Sequence, residues 1–325
     1  MIKALVADTQ THNSRNFQDL DKISDLLSDS ANFFWLDLSS PSEEELNMVA
    51  KEFNFHHLAM EDVTHRLQRP KIEEYENYFL GIFYSISLKD EFKELVFHEL
   101  AFFIGANYLV TIHYEPIPEL AEAEARWKRN NVQTVKMIGP VVYAMLDTLV
   151  DNYFPIMDKM VDYAEELEDD IFQGNGMHTK VTGKLLELKK LFLQMRRIIA
   201  PERDILNVLT NRDNRIFGDD ALFYFRDVYD HLTRVTDTLD LYRDQIGSTM
   251  EANLSVASND LNSVMRTLTA FSIILMTDAL ISGIYGMNFE NIPELKWSFG
   301  YYGALSLMVG ITVGLVFYFK RKKWL

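Results

Sequence analysis

The chain has 325 residues, 48% of them hydrophobic, and a formal net charge of −16. That balance argues against a nucleic-acid partner, which needs a basic face; it keeps a large aqueous part soluble and suits a protein that meets divalent cations. There is no cysteine, which excludes disulfides, thiolate metal sites and cysteine nucleophiles. The segment Met1 to Gln10 has no basic stretch followed by a long apolar core, so no cleaved leader is expected.

Up to about residue 118 the sequence reads as an α+β cytosolic domain. Strand-like runs cover Ile2–Val6, Phe33–Leu38, Tyr78–Ile86, Leu95–Ile104 and Tyr108–His113. Ser40-Pro41 is expected to open a helix through Phe53, with serine as cap, proline at the first helical position and acids in the first turn.

From Glu119 the pattern is helical. One segment from about Val132 to Phe172 is expected to bend or break near Pro140 and Pro155 and to end at Gly174-Asn175-Gly176. A return helix over Met177 to Leu209 is expected to be interrupted near Pro201, completing a helical hairpin over 119–218. Then Val228, Leu232, Val235, Leu239, Tyr242, Ile246 and Met250 recur three or four apart, a helix close to a heptad seam. No stop signal separates this seam from the apolar run that follows. A stalk helix over 219–288, roughly 100 Å long at 1.5 Å per residue, needs partners or copies of itself to be stable.

Gly300 to Phe319 (GYYGALSLMVGITVGLVFYF) carries no charge and has the length of a membrane-crossing helix. Trp297, Tyr301, Tyr302 and Tyr318 are placed as interfacial aromatics, so lipid is an expected partner. Lys320, Arg321, Lys322 and Lys323 follow at once and by the positive-inside rule mark a cytoplasmic end. An earlier span, about 268–287, is apolar apart from Asp278. Two spans return the chain to its starting side, so both termini are expected in the cytoplasm. The external loop is then 289–298, with Glu290, Glu294 and Lys296, and 299–325 holds the second span and a basic tail. Two helices cannot enclose a hydrated pore, so a channel needs a symmetric oligomer.

Enzyme signatures are lacking. His98-Glu99 begins HELAF where a zincin needs HExxH, and Leu185 follows Gly183-Lys184 where a P-loop needs Ser or Thr.

The first span ends in Tyr285-Gly286-Met287-Asn288-Phe289, followed by Ile292-Pro293-Glu294-Leu295. This resembles the signature of the CorA family, YGMNF followed by MPEL, with Ile292 in place of the usual methionine. Tyr224 to His231 (YFRDVYDH), Asn262 to Thr269 (NSVMRTLT), the closing Tyr318 to Leu325 (YFKRKKWL) and Arg69-Pro70-Lys71 through Glu76-Asn77-Tyr78 also resemble the family. The resemblance implies a funnel-shaped homopentamer in the inner membrane that lets Mg2+, and with it Co2+ or Ni2+, flow inward passively. It makes Gly286, Met287 and Asn288 the selectivity filter and Met265, Leu268 and Met276 a pore gate. It makes Lys320, Arg321, Lys322 and Lys323 a collar, and Asp227 part of a sensor for cytosolic Mg2+. For the sensor's second acid the turn Lys89-Asp90-Glu91 offers Asp90 or Glu91. Glu290 and Glu294 would concentrate cations at the mouth.

A ring of Asn288 amides fits the cargo physically. Mg2+ gives up its water reluctantly, and neutral amides hydrogen-bond that water with the weak binding that conduction needs. Two alternatives are a zinc transporter of the same superfamily, which usually carries GVN, and a two-span membrane sensor. Asp278 departs from the family, which usually has an uncharged pair where Thr277-Asp278 stands. It lies thirteen residues from Met265, about 220° round a helix, and is expected to face the second span or a neighbouring helix.

Overall fold

The computed structural model describes residues 2–8, 13–17, 32–89, 94–130, 138–172, 178–211, 216–217, 219–288, 292 and 296–325. Seven strands, β1 (Ile2–Asp8), β2 (Asn13–Phe17), β3 (Asn32–Ser39), β4 (Lys71–Glu74), β5 (Phe79–Lys89), β6 (Glu94–Ile104) and β7 (Tyr108–His113), form one sheet in the order β2-β1-β3-β7-β6-β5-β4. Neighbours run antiparallel except β3 and β7, which pair in parallel with Leu36 opposite Val110. The expected apolar runs lie in strands, except that Tyr78 stands just before β5. The sheet adds β2 and β4 at its two edges, whose sequences NSRNF and KIEE carry no apolar alternation. An edge strand is held by its backbone ladder on one side, so it tolerates polar side chains.

Both sheet faces are buried, which explains why the central strands read as almost unbroken apolar runs. On one face Leu36, Leu38, Ile82, Phe103, Val110 and Ile112 pack with Leu46, Val49, Ala59 and Val63 of helices α1 (Glu43–Glu52) and α2 (His57–Thr64). On the other, Trp35, Phe83, Leu100, Phe102 and Leu109 are equally buried. Gly81 sits opposite Phe102 in the β5–β6 ladder, and the Phe102 ring lies 2.2 Å from where a Cβ at Gly81 would be. The glycine makes room for the ring.

The cap of α1 is Ser42, not Ser40. Its Oγ accepts the Glu45 amide while the Glu45 carboxylate accepts the Ser42 amide, a closed capping box. Pro41 keeps the residue before it out of the helical region; Ser40 instead has φ 47° and its hydroxyl donates to the Tyr114 carbonyl at 2.6 Å.

The helical remainder comprises α3 (Pro118–Asn130), α4 (Gly139–Asp151), α5 (Tyr153–Phe172), α6 (His178–Asn211), α7 (Asp219–Tyr285) and α8 (Gly300–Arg321). The expected break near Pro155 is present, and the expected interruption near Pro201 is not. The break falls at Asn152, and Pro155 stands in the first turn of α5, where its missing N–H would be unpaired in any case. Helix α6 runs straight through Pro201. Contacts group the chain into two units, residues 1–174 with 179–248, and residues 249–325 with 175–178. In the first, the α7 seam is buried at Val228, Leu232, Val235, Leu239 and Ile246. Tyr242 stacks on Phe192 of α6, and Arg196 of α6 grips Asp240 of α7 through two nitrogens.

Candidate ion pathway and metal centre

Among the described residues, α7, whose apolar end lies in the second unit, and α8 are the two helices long and apolar enough to cross a membrane. They meet along one stripe. Ala270 and Ile274 of α7 pack against Leu315, Phe319 and Trp324, and the Thr267 hydroxyl donates to the Trp324 carbonyl at 2.9 Å. One turn beyond Ile274, Thr312 donates to Asp278 Oδ2 at 2.8 Å. Asp278 therefore faces the second span, one of the two placements expected of it.

The residues expected at the gate lie on the other side of α7. Met265 is 53% exposed, Leu268 58% and Met276 70%, so α8 covers none of them. Helix α7 ends at Tyr285; the Gly286 amide donates to Ser282 O at 2.9 Å and the Met287 amide to Ile284 O at 3.3 Å. A Cβ on Gly286 would stand 3.1 Å from the Ser282 carbonyl oxygen. That closeness, rather than a left-handed backbone, favours glycine. Met287 and Asn288 are exposed at this end. Glu290 and Glu294 lie outside the described residues.

The tail is more ordered than a run of cations suggests. Lys320 and Arg321 occupy the last turn of α8, where positive charge complements the helix dipole. Lys323 takes φ 57°, its amide donates to Lys320 O and the Trp324 amide to Phe319 O at 3.0 Å. These two bonds form a Schellman motif, completed by the Trp324 ring stacked on Phe319 at 5.4 Å. Lys320, Arg321, Lys322 and Lys323 all stay exposed.

In the first unit, Asp227 on α7 has two neighbours that sequence reading did not bring to it. Asp227, His231 and Asp147 of α4 offer ligand atoms all within 4.8 Å of one another. Tyr143 donates to Asp227 Oδ2 at 3.1 Å. Asp147 is 2% exposed and pairs with Arg126, which also reaches Asp151. Asp147 Oδ1 lies 3.5 Å from His231 Nδ1, and neither atom has a hydrogen-bond partner among the described residues. Burial pushes the Asp147 carboxyl above its ordinary range, and Asp151 adds to this while Arg126 opposes it. Burial also pushes the Tyr143 phenol up, helped by Asp147 and Asp227.

Chemically this is an imidazole and two carboxylates with two buried lone-pair atoms unspent. A divalent cation would satisfy both, and the mixed N,O set suits Co2+ or Ni2+ as well as Mg2+. The sequence did hold a signal: Asp227 and His231 are four apart, as are Asp147 and Asp151, so each pair shares a helix face. Asp90 and Glu91 lie outside the described residues.

Residues 30–321 match the family described as CorA-like Mg2+ transporter protein. The cobalt/magnesium transport protein CorA of Thermotoga maritima is 31% identical over 304 residues, covering 91% of this chain and 85% of that protein. The magnesium transport protein CorA of Escherichia coli is 24% identical over 305 residues, covering 90% and 92%. Among solved structures, the complete CorA magnesium transporter of Methanocaldococcus jannaschii aligns with a TM-score of 0.80 at 25% identity, covering 99% of this chain and 98% of that one.

Proposed function

The chain belongs to the CorA-like Mg2+ transporter family, and from that premise we propose that it is a passive divalent-cation channel built as a homopentamer. Mg2+ is its main cargo and Co2+ or Ni2+ a further one, in line with relatives named as cobalt/magnesium transport proteins. The observation that carries this reading is the bare face of α7. Met265, Leu268 and Met276 are apolar, exposed and turned from α8, and the helix that bears them ends at Tyr285, three residues before Asn288. Copies of that face round an axis make an apolar constriction, which gates by dewetting, below a ring of amides. Gly286, Met287 and Asn288 form the filter, with Asn288 hydrogen-bonding the water that Mg2+ retains. The basic tail, Lys320 to Lys323, sets both termini in the cytoplasm.

Asp227, with Asp147 and His231, is a cytosolic cation sensor. Its unpartnered Asp147 Oδ1 and His231 Nδ1 support this, since a cation that binds one state of the protein stabilises that state. Asp90 or Glu91 of a neighbouring subunit completes the site. Parallel liposome flux measurements with Mg2+, Co2+, Ni2+ and Zn2+ test the whole reading. Mg2+ entry that follows the gradient without ATP is expected. Preference for Zn2+, or no divalent flux, overturns it.

A further inference from the structure

Asp278 is a carboxyl inside an apolar span, which costs several kcal/mol unless it faces water or a partner. Its partner is Thr312, and only half of the carboxyl is used. Oδ2 accepts from the Thr312 hydroxyl at 2.8 Å, while Oδ1 is sealed from solvent with no partner among the described residues. An apolar side chain would fill the same seam at lower cost, so stability does not account for the acid. What a hydrogen bond supplies and an apolar contact lacks is direction and length. Fixing register is the best-attested use of a buried polar group.

The seam between the two helices shows why register needs fixing. Thr267, Ala270, Ile274 and Asp278 are spaced three or four apart on α7 and meet Trp324, Phe319, Leu315 and Thr312 in reverse order. Between the two polar contacts the stripe is apolar. In a bilayer such a stripe is weakly held, because lipid tails compete with it on equal terms. A slip of one residue moves a helix by about 1.5 Å and turns it by about 100°, enough to break the Asp278–Thr312 bond. Thr267 pins the Trp324 end of the seam, and Asp278 pins it on the side of the filter. Past Asp278, α7 runs to Tyr285 and then Asn288 with no further hydrogen bond to α8 described.

We propose that Asp278 and Thr312 form a positioning clasp for the filter: their bond sets the height and rotation of α7 against α8, and with them the place of Asn288. The clasp rests on the reading of Asn288 as the filter. Asp278 acts through Asn288 and does not touch the ion.

The test uses the full chain in liposomes, with Mg2+ and Na+ permeation measured side by side and the oligomer checked by size. Thr312→Val is the deciding variant, because it keeps the volume and removes only the donor. Thr312→Val and Asp278→Leu should each lower Mg2+-over-Na+ selectivity about fivefold, the scale of one interhelical hydrogen bond. The double variant should be no worse than either single one, and Thr312→Ser and Asp278→Asn should restore selectivity. Wild-type selectivity in Thr312→Val, additive losses, or a loss in Asp278→Asn as large as in Asp278→Leu would each overturn the clasp, the last by placing the charge in the pore. Failure of the underlying reading looks different: the wild type would then carry no Mg2+ at all.

Discussion

Glu202 of α6 stands in for a strand beside Tyr84 of β5, its Oε1 accepting the Tyr84 amide at 2.9 Å. The β4 ladder ends where Lys71 meets Ile82, so the outward-facing amide and carbonyl of Tyr84 have no strand partner. The Tyr153 hydroxyl donates to the Tyr84 carbonyl at 2.5 Å and lies 3.0 Å from Glu202 Oε2. A hydroxyl has one proton and cannot serve both oxygens, and a proton on Glu202 satisfies the second contact. Complete burial acts in the same direction and pushes the Glu202 carboxyl well above its ordinary range.

This fixes a pH dependence. The folded-state value is raised, so the folded protein holds a proton that the unfolded chain releases. The stabilisation is full below the unfolded value, 4.5, and is lost as pH rises from there through the folded value, at most about 1.4 kcal/mol per pH unit. Thermal unfolding of the detergent-solubilised protein should fall more steeply with pH in the wild type than in Glu202→Gln. Glu202→Ala, which leaves the Tyr84 amide unsatisfied, should cost about 1–3 kcal/mol at low pH, where the wild-type stabilisation is full, and less as pH rises. Parallel pH profiles for the wild type and the glutamine variant would contradict the proton count.

Asn288→Ala removes the amide ring and leaves both spans intact. Mg2+ flux into liposomes should fall at least about tenfold, the scale of one lost hydrogen bond per subunit, with the oligomer unchanged in size. Wild-type flux in this variant would show that the ion's water is held elsewhere.

The sensor cluster is tested by its chemistry. His231→Ala removes the imidazole, the ligand that favours Co2+ over Mg2+. Protection from proteolysis by Co2+ should weaken about tenfold while protection by Mg2+ persists; Asp227→Ala should weaken both. Equal losses for the two metals in His231→Ala would exclude the imidazole as a ligand.

Lys323 holds a left-handed backbone that glycine adopts without strain. Lys323→Gly should leave the unfolding free energy unchanged or raise it, by up to about 1 kcal/mol. Trp324→Ala removes the ring stacked on Phe319 and should lower it. A clear loss in Lys323→Gly would mean that the charge, not the turn, is what this position contributes.

The sequence alone determined what depends on short-range pattern. Apolar runs placed the central strands, three- and four-residue spacing placed the α7 seam, and an uncharged run ending in four cations placed α8, because each period is a property of one segment. The Tyr285-Gly286-Met287-Asn288 signature likewise lies within one stretch, and helical geometry turned Asp278 away from Met265, towards the second span or a neighbouring helix. Tertiary structure decided the rest. Strands β2 and β4 exist because a neighbour offers its ladder, which no alternation in NSRNF or KIEE announces. Helix α6 passes through Pro201, whose neighbour Glu202 is bonded to Tyr84 and Tyr153. Asp147 and Asp227, eighty positions apart, meet because α4 and α7 pack, and Asp278 finds Thr312 because α8 folds back along α7. Contacts of such separation arise from packing whole faces together, and local periodicity specifies the faces without specifying their partners.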